Sequence, residues 1–555
     1  MRLPPSKLAG KTPEEQRENT LSLIRRRAVL AAVVLAVSLR VVGLEWGLPG
    51  PAHSASYHPD EGTIYGHALQ MAKTGDLNPH FFNYGSLPIM LSALVLKLTG
   101  LDAPGKISAA HYALRLVSVA AGVLTVWLAA LIAGRLFRSG WAPALAAAAT
   151  AAAPLAVVNS HYATVDALAT CLLTASLYFS VRLLDEDDAK WYLLAGALAG
   201  LAAATKYVGA MAILPAIAAH AIRSGSLRSV LDGRAVGLVA GPAIAAFLIG
   251  CPYSVLDHQA FLRDFAFEMR HVREGATTYM LGQPPLVYFV SQVLPCALSL
   301  PLLCVSAVGL AFGIAAFGAR GALLGGWALL LILLHGSGKE IFVRYAMPLV
   351  PLFAIGLASL AAPIDVDEAR GLLAKPFQRG VAVAVVGLAV LWAALVSWAN
   401  VSLMAGPDTR EQAARRLLPE YMDGGSLGMH KLPWFDTPPL LFYNAGPHYP
   451  PEVYFDAAER MGVELTITGW DVGVLRIKEP ERFVSTEFDY HYPLLADQPK
   501  PEAFYDALQS EYALESEFSA PLRAGPIEFQ RPRLHDWRYV CPEIRIYRRL
   551  EAVAE

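Results

Sequence analysis

Charge, cysteine and any basic excess are scarce in this 555-residue chain. Charged residues make up 17% against 55% hydrophobic, and the mean hydropathy is +0.41, which excludes an ordinary soluble protein. Lys and Arg total 45 and Asp and Glu 47, a net charge of -2, so nothing in the balance points to a nucleic-acid partner. Of five cysteines, Cys171, Cys251, Cys296 and Cys304 lie in apolar runs and Cys541 stands alone in the polar C-terminal part. That spacing fits neither a disulfide framework nor a thiolate metal site. P-loop and GxGxxG patterns are also missing, so no backbone cradle for a soluble nucleotide is encoded.

What the chain does have is long apolar runs. A span needs about 20 mostly apolar residues, and candidates fall near 29–47, 110–136, 141–158, 166–184, 190–205, 206–222, 235–252, 286–314, 321–335, 344–362 and 380–402. The expectation is a polytopic α-helical membrane protein with about eleven transmembrane helices. Residues 1–27 end in Arg25, Arg26 and Arg27 and form a cytoplasmic N-terminal segment leading into an uncleaved first span. Arg135, Arg138, Arg182, Lys190, Arg223, Arg228, Arg234, Arg320, Lys375 and Arg379 then fall on one side of the alternating topology. Short cytoplasmic loops carry the Lys and Arg excess, so the N-terminus is predicted cytoplasmic and the C-terminal part extracytoplasmic.

Three segments share the outer face: the first loop, 48–107; a loop of about 253–285; and everything after the membrane domain, which covers 28–402. Within the first loop, SLPIMLSALVLKLTG is short for a span and reads as a helix in the interface or dipping partly into the membrane. The loop that follows residue 253 reads as a surface helix and then a cover over the site. From 403 to 555 the texture changes. DTREQAARRLLPEYM repeats apolar residues at helical spacing behind an Asp408 cap. VELTIT, VGVLRIK and EIRIY are β-rich and EAFYDALQSEYAL is helical, which predicts a small extracytoplasmic α/β domain.

The chemistry-bearing residues cluster on that outer side. SYHPDEGTIYGHA sets Asp60 beside Glu61 just after the first span, and a carboxylate among aromatic residues at a membrane surface can serve as general base. NSHYATVDALAT puts Asp166 at the outer end of a span; AATKYVGA puts Lys206 between two spans; GSGKEIFVRYAMPLVP puts Lys339 and Arg344 at the mouth of another. Charges at such depth are costly and face a cavity, a partner or a ligand. Each taken alone has a bland reading as a snorkelling or capping residue; their convergence from different helices argues against it. Arg40 and Arg115, also in or near spans, are assigned to structural pairing. Carboxylates can activate a hydroxyl while Lys and Arg hold a departing phosphate, so the expected reaction is group transfer from a lipid phosphate.

HPDEGTIYGHA, NYGSLPIMLSALVLKLTG, LRLVSVAAGVLTV, NSHYATVDALAT, the TKY of Thr205–Tyr207 and VRYAMPLVP resemble the bacterial members of the dolichyl-phosphate-mannose protein mannosyltransferase superfamily. That group includes the aminoarabinose transferase of lipid A and other glycosyltransferases of the GT-C fold. The resemblance covers most of residues 20–362. It implies a membrane glycosyltransferase that moves a sugar, with inversion, from a polyprenyl-phosphate-linked donor to a hydroxyl on a protein, lipid or glycan acceptor, without a nucleotide. Asp60 matches the first-loop acid and is the implied base, with Glu61 orienting the acceptor or the base. Asp166 matches the second-loop acid. Lys206 and Arg344 match basic positions near the lipid phosphate, and Lys339, at the same span mouth as Arg344, is a further candidate for that phosphate. His58, Tyr65, Tyr84, His161 and Tyr279 are candidates for the substrate cleft, and Glu268 and His271 are candidate ligands or acceptor contacts. Some members bind a divalent metal here; His58 and Glu61 offer two ligands without a third, so no cofactor is assigned and a metal is left open.

The alternative from another class is a transporter or flippase of lipid-linked sugars, since polar residues in spans also mark transport routes. It predicts related halves around a central site, and the sequence shows no such repeat.

Overall fold

The computed structural model describes residues 13–137, 139–275, 280, 282–361, 376–421, 424–446, 449–495 and 498–550. Six helices among them are long and apolar enough to cross a membrane: Ile107–Phe137, Val165–Arg182, Tyr207–Ser224, Gly233–Gly250, Leu300–Phe317 and one beginning at Gly380. A bent pair, Ala142–Ala152 with Pro154–His161, makes a seventh if counted as one span. Leu87–Thr99, Pro285–Leu298, Ala319–His335 and Leu349–Ala361 are apolar but shorter.

The sequence reading of 286–314 as one span fails at Ser299, whose φ is +69°. Pro301 follows two residues later; its ring has no N–H to donate and clashes with the preceding turn, so one helix stops and another starts. The bend in the Ala142–His161 pair, 65°, follows from Pro154 in the same way. Carbonyls released there find donors from other helices: Arg40 binds the Ala151 oxygen at 3.3 Å and Ser397 binds that of Ala152 at 2.7 Å. Buried backbone groups in a membrane need such partners.

Small residues let the spans close on one another. A Cβ on Gly196 would stand 2.1 Å from the Val239 carbonyl oxygen, and one on Gly200 2.0 Å from that of Ala243. Helix Ala189–Thr205 therefore lies backbone to backbone against Gly233–Gly250, a small-xxx-small contact.

Beyond the last long helix, Pro376–Ala405, the chain forms a small α/β unit. Its strands are β1 (Gly425–Met429), β2 (Val463–Ile467), β3 (Arg482–Thr486), β4 (Tyr512–Phe518), β5 (Leu522–Ala524), β6 (Ile527–Phe529) and β7 (Ile544–Arg549). The main sheet runs β2-β1-β3-β7-β4, with β1 parallel to β2 and β3 and β7 antiparallel to both β3 and β4. VELTI and IRIY are strands as read from sequence, but VGVLRIK is a helix, Val472–Lys478. Asp471 caps it by accepting from the amides of Gly473 and Val474, a local signal that outweighs β-branched composition.

This C-terminal unit is bolted to the membrane domain by Arg410, which is fully buried. Its guanidinium pairs with Asp408 at 2.7 Å and lies 3.7 Å over the Tyr57 ring, while Trp46 donates to Asp408 at 3.0 Å. Trp46, just before the first loop, Tyr57 within it and two residues of the C-terminal unit thus share one buried cluster.

Candidate functional site

Helix Pro59–Thr74 carries the first two acids. His58 caps it, its Nδ1 accepting from the Asp60 amide at 3.3 Å. Burial pulls the His58 imidazole down to about 4, so the cap stays neutral. Consecutive helical residues point about 100° apart, and the two acids separate. Glu61 is fully buried and gripped by Arg115 at 2.7 and 2.8 Å, with the Ala163 amide at 2.6 Å. Burial alone would raise its carboxyl, but the Arg115 charge and hydrogen bonds hold it down to about 2. Arg115 also binds the carbonyls of Leu44 and Trp46. Glu61 therefore staples three segments together and does not line the cavity that Asp60 faces.

That cavity, about 460 Å³, is lined on the membrane side by Asp60, Thr63, Tyr84, Asp166, Lys206, Glu268, His271 and Arg344. Asp166 and Lys206 pair at 2.8 Å. Arg344 reaches Asp60 at 3.5 Å and Asp536 of the C-terminal unit at 3.7 Å. Asp536 also accepts the backbone N–H groups of Val343 and Arg344 at 2.9 and 3.1 Å, so it fixes the turn from which Arg344 projects. Burial pushes the carboxyls of Glu268 and Asp536 up, which favours their neutral forms. The Asp60 charge, then burial, pushes the Tyr84 phenol well above its usual value, leaving its hydroxyl a donor.

A second, more apolar lobe of about 310 Å³ shares Asn83, Tyr84, Lys206, Glu268 and Tyr345 with the first and continues along Tyr207, Val208, Met211, Phe265, Met269 and Leu334. Lys206 stands where polar and apolar lobes meet. Gly85 sets this junction: a Cβ there would lie 1.9 Å from the Ala204 carbonyl oxygen, so the Tyr84 loop presses directly on the helix end that precedes Lys206. Gly85→Ala is expected to destabilise the fold, because the Ala204 carbonyl it would strike is backbone and cannot swing away, as read by thermal unfolding beside wild type; unaltered stability would contradict this packing role.

Other sequence candidates lie elsewhere. Lys339 is exposed, its amide bound to the Val272 carbonyl, and does not line the cavity. His161 is buried with both ring nitrogens on backbone carbonyls, Val157 at 2.9 Å and Val42 at 2.8 Å. Tyr65 packs against His111 with the rings tilted and their centroids 4.4 Å apart, and His58 is occupied by its cap. Tyr279 lies outside the described residues. No three His, Cys, Asp or Glu side chains come together at metal-binding spacing among the described residues.

Sequence reasoning missed the far wall, formed by the C-terminal unit with Lys431, Trp434, Phe435, Phe488, His535 and Tyr539. No local pattern marks these residues; only the packing of the two units brings them to the cavity.

Residues 106–250 match the model of the dolichyl-phosphate-mannose-protein mannosyltransferase family. No curated protein sequence matches the chain. Among solved structures, ArnT from Cupriavidus metallidurans bound to undecaprenyl phosphate is 17% identical, with 93% of this chain and 97% of that one covered and a TM-score of 0.49. The Archaeoglobus fulgidus oligosaccharyltransferase tethered with an acceptor peptide is 12% identical over 90% of this chain and 73% of that one, with a TM-score of 0.51. The likeness to the archaeal protein is one of fold. The chain is a polytopic α-helical membrane protein of the GT-C fold with a small C-terminal α/β unit, and its residues 106–250 resemble the dolichyl-phosphate-mannose-protein mannosyltransferase family.

Proposed function

We propose that the chain transfers a glycosyl group, with inversion, from a polyprenyl-phosphate-linked donor to a hydroxyl of a protein, lipid or glycan acceptor on the extracytoplasmic side. The observation that carries this reading is the meeting of Asp60, Asp166, Lys206 and Arg344 in one cavity that opens into an apolar lobe. The lobe suits a polyprenyl chain, and Lys206 at its mouth suits the phosphate. The family matched by residues 106–250 is named for a lipid-phosphate sugar, which supports the same donor class.

In this reading the acceptor O–H gives its proton to the Asp60 carboxylate as its oxygen attacks the anomeric carbon. The bond from that carbon to the phosphate oxygen breaks, and the electron pair leaves with the phosphate. Negative charge grows on the phosphate, where Lys206 and Arg344 stabilise it in a site of low dielectric. Asp166 holds the Lys206 ammonium in place. Arg344, within reach of Asp60, couples the base to the leaving group.

Binding of polyprenyl phosphate tests the donor assignment. Charge-assisted hydrogen bonds contribute about 1.5–3 kcal/mol, so Lys206→Ala and Arg344→Ala are each expected to weaken affinity by about tenfold to a hundredfold. Titration of purified protein in lipid nanodiscs reads the change; wild-type affinity in both variants would defeat the phosphate role.

A further inference from the structure

The C-terminal unit brings a binding geometry of its own. β1 lies between β2 and β3 and is parallel to both, so the chain leaves β1 to one side for β2 and returns on the other for β3. In open parallel sheets the loops diverge at such a switch point, and ligands bind outside the carboxyl ends of the two strands. Here Lys431 follows β1, and Thr486 ends β3 with Asp489 just beyond.

The two loops build a pedestal at that point. Lys431 Nζ lies 2.7 Å from Asp436 and 3.5 Å from Asp489, and both carboxylates are buried. Thr486 ties them together: its hydroxyl donates to Asp436 at 2.9 Å and its amide donates to Asp489 at 2.9 Å. The ammonium is fixed in place, yet 35% of the side chain stays exposed, and it lines the cavity. Its charge is more than balanced by two carboxylates, which makes it a poor trap for phosphate and a good donor to neutral oxygens.

The surroundings match. Burial pulls the His535 imidazole down to about 3, so it is a neutral ring, donor at one nitrogen and acceptor at the other. Trp434, Phe435 and Tyr539 add flat apolar faces. A wall with apolar faces and fixed polar tips has the character of a sugar ring, which presents a C–H face and a rim of hydroxyls.

We propose that the crevice between the carboxyl ends of β1 and β3 is the sugar-binding subsite of the cavity, where Lys431 and His535 hydrogen-bond hydroxyls of the donor's glycosyl ring beside the Trp434 face. The membrane-domain cations then hold the phosphate, so the C-terminal unit reads the sugar and the membrane domain reads its carrier. The proposal rests on the lipid-phosphate-sugar reading above.

The test compares two probes on the full chain in nanodiscs: undecaprenyl phosphate, and undecaprenyl phosphate bearing mannose, glucose or arabinose. Wild type is expected to bind at least one sugar-bearing lipid more tightly than the bare phosphate. Lys431→Met is expected to weaken that sugar-bearing lipid about tenfold, the value of one charge-assisted hydrogen bond, and to leave the bare phosphate within about twofold. Trp434→Leu, which leaves the Asp436 and Asp489 pairing intact, is expected to give the same selective loss, so the subsite is tested even if Lys431→Met does not fold. Equal effects on both probes, or none, would overturn the subsite while leaving the donor class standing. Wild type that binds neither probe would overturn the donor reading and the subsite with it.

Discussion

Asp60→Asn is expected to lower glycosyl transfer by about a thousandfold while leaving polyprenyl-phosphate affinity within about twofold. General-base catalysis contributes roughly 10²–10⁴ in rate, and Asn keeps the shape of the side chain while removing its capacity to take a proton. Arg344 loses one carboxylate partner but keeps Asp536 and its anchored turn, so the proposed phosphate site should survive. Initial rates beside equilibrium titrations separate the two effects. An Asp60→Asn protein that transfers at the wild-type rate would remove Asp60 from the role of base.

The neighbouring substitution should act on a different property. Glu61→Gln is expected to destabilise the protein by about 3–5 kcal/mol, because it leaves the Arg115 guanidinium buried without a counter-charge. The surviving folded fraction should still turn over. The pH dependence follows the same pair. The folded Glu61 carboxyl is held down to about 2 against an ordinary value of 4.5. A depressed carboxyl stabilises the fold at all pH above 4.5, and its contribution falls away as pH drops from 4.5 toward about 2. Denaturant unfolding as a function of pH reads this: the wild type should lose stability through that window, and Glu61→Gln should lack that component. Unchanged stability with abolished transfer would instead make Glu61 part of the chemistry.

The contrast between these adjacent acids shows where sequence stops informing. Asp60, Asp166, Lys206 and Arg344 were visible as charges at the ends of apolar runs, where burial without function is costly, and the structure brings all four to one cavity. The division of labour between Asp60 and Glu61 was not visible, because it depends on which helix face meets Arg115, a residue 54 positions away. Lys339 carried the same sequence signal as Arg344, yet only Arg344 sits on a turn pinned by Asp536. In the C-terminal unit the strands VELTI and IRIY announced themselves by β-branched alternation. The placement of β1 between β2 and β3 did not, since it rests on pairings between distant segments. Lys431, Asp536 and His535 acquire a role only when that unit docks, and docking runs through a cluster centred on Arg410 that no local pattern specifies.

The most direct test of the account is turnover. Purified protein in nanodiscs, given a panel of polyprenyl-phosphate sugars with envelope acceptors, should release free polyprenyl phosphate in a sugar-dependent manner. Absence of release from every donor, together with movement of lipid-linked sugar across sealed vesicles, would contradict glycosyl transfer and assign the cavity to transport.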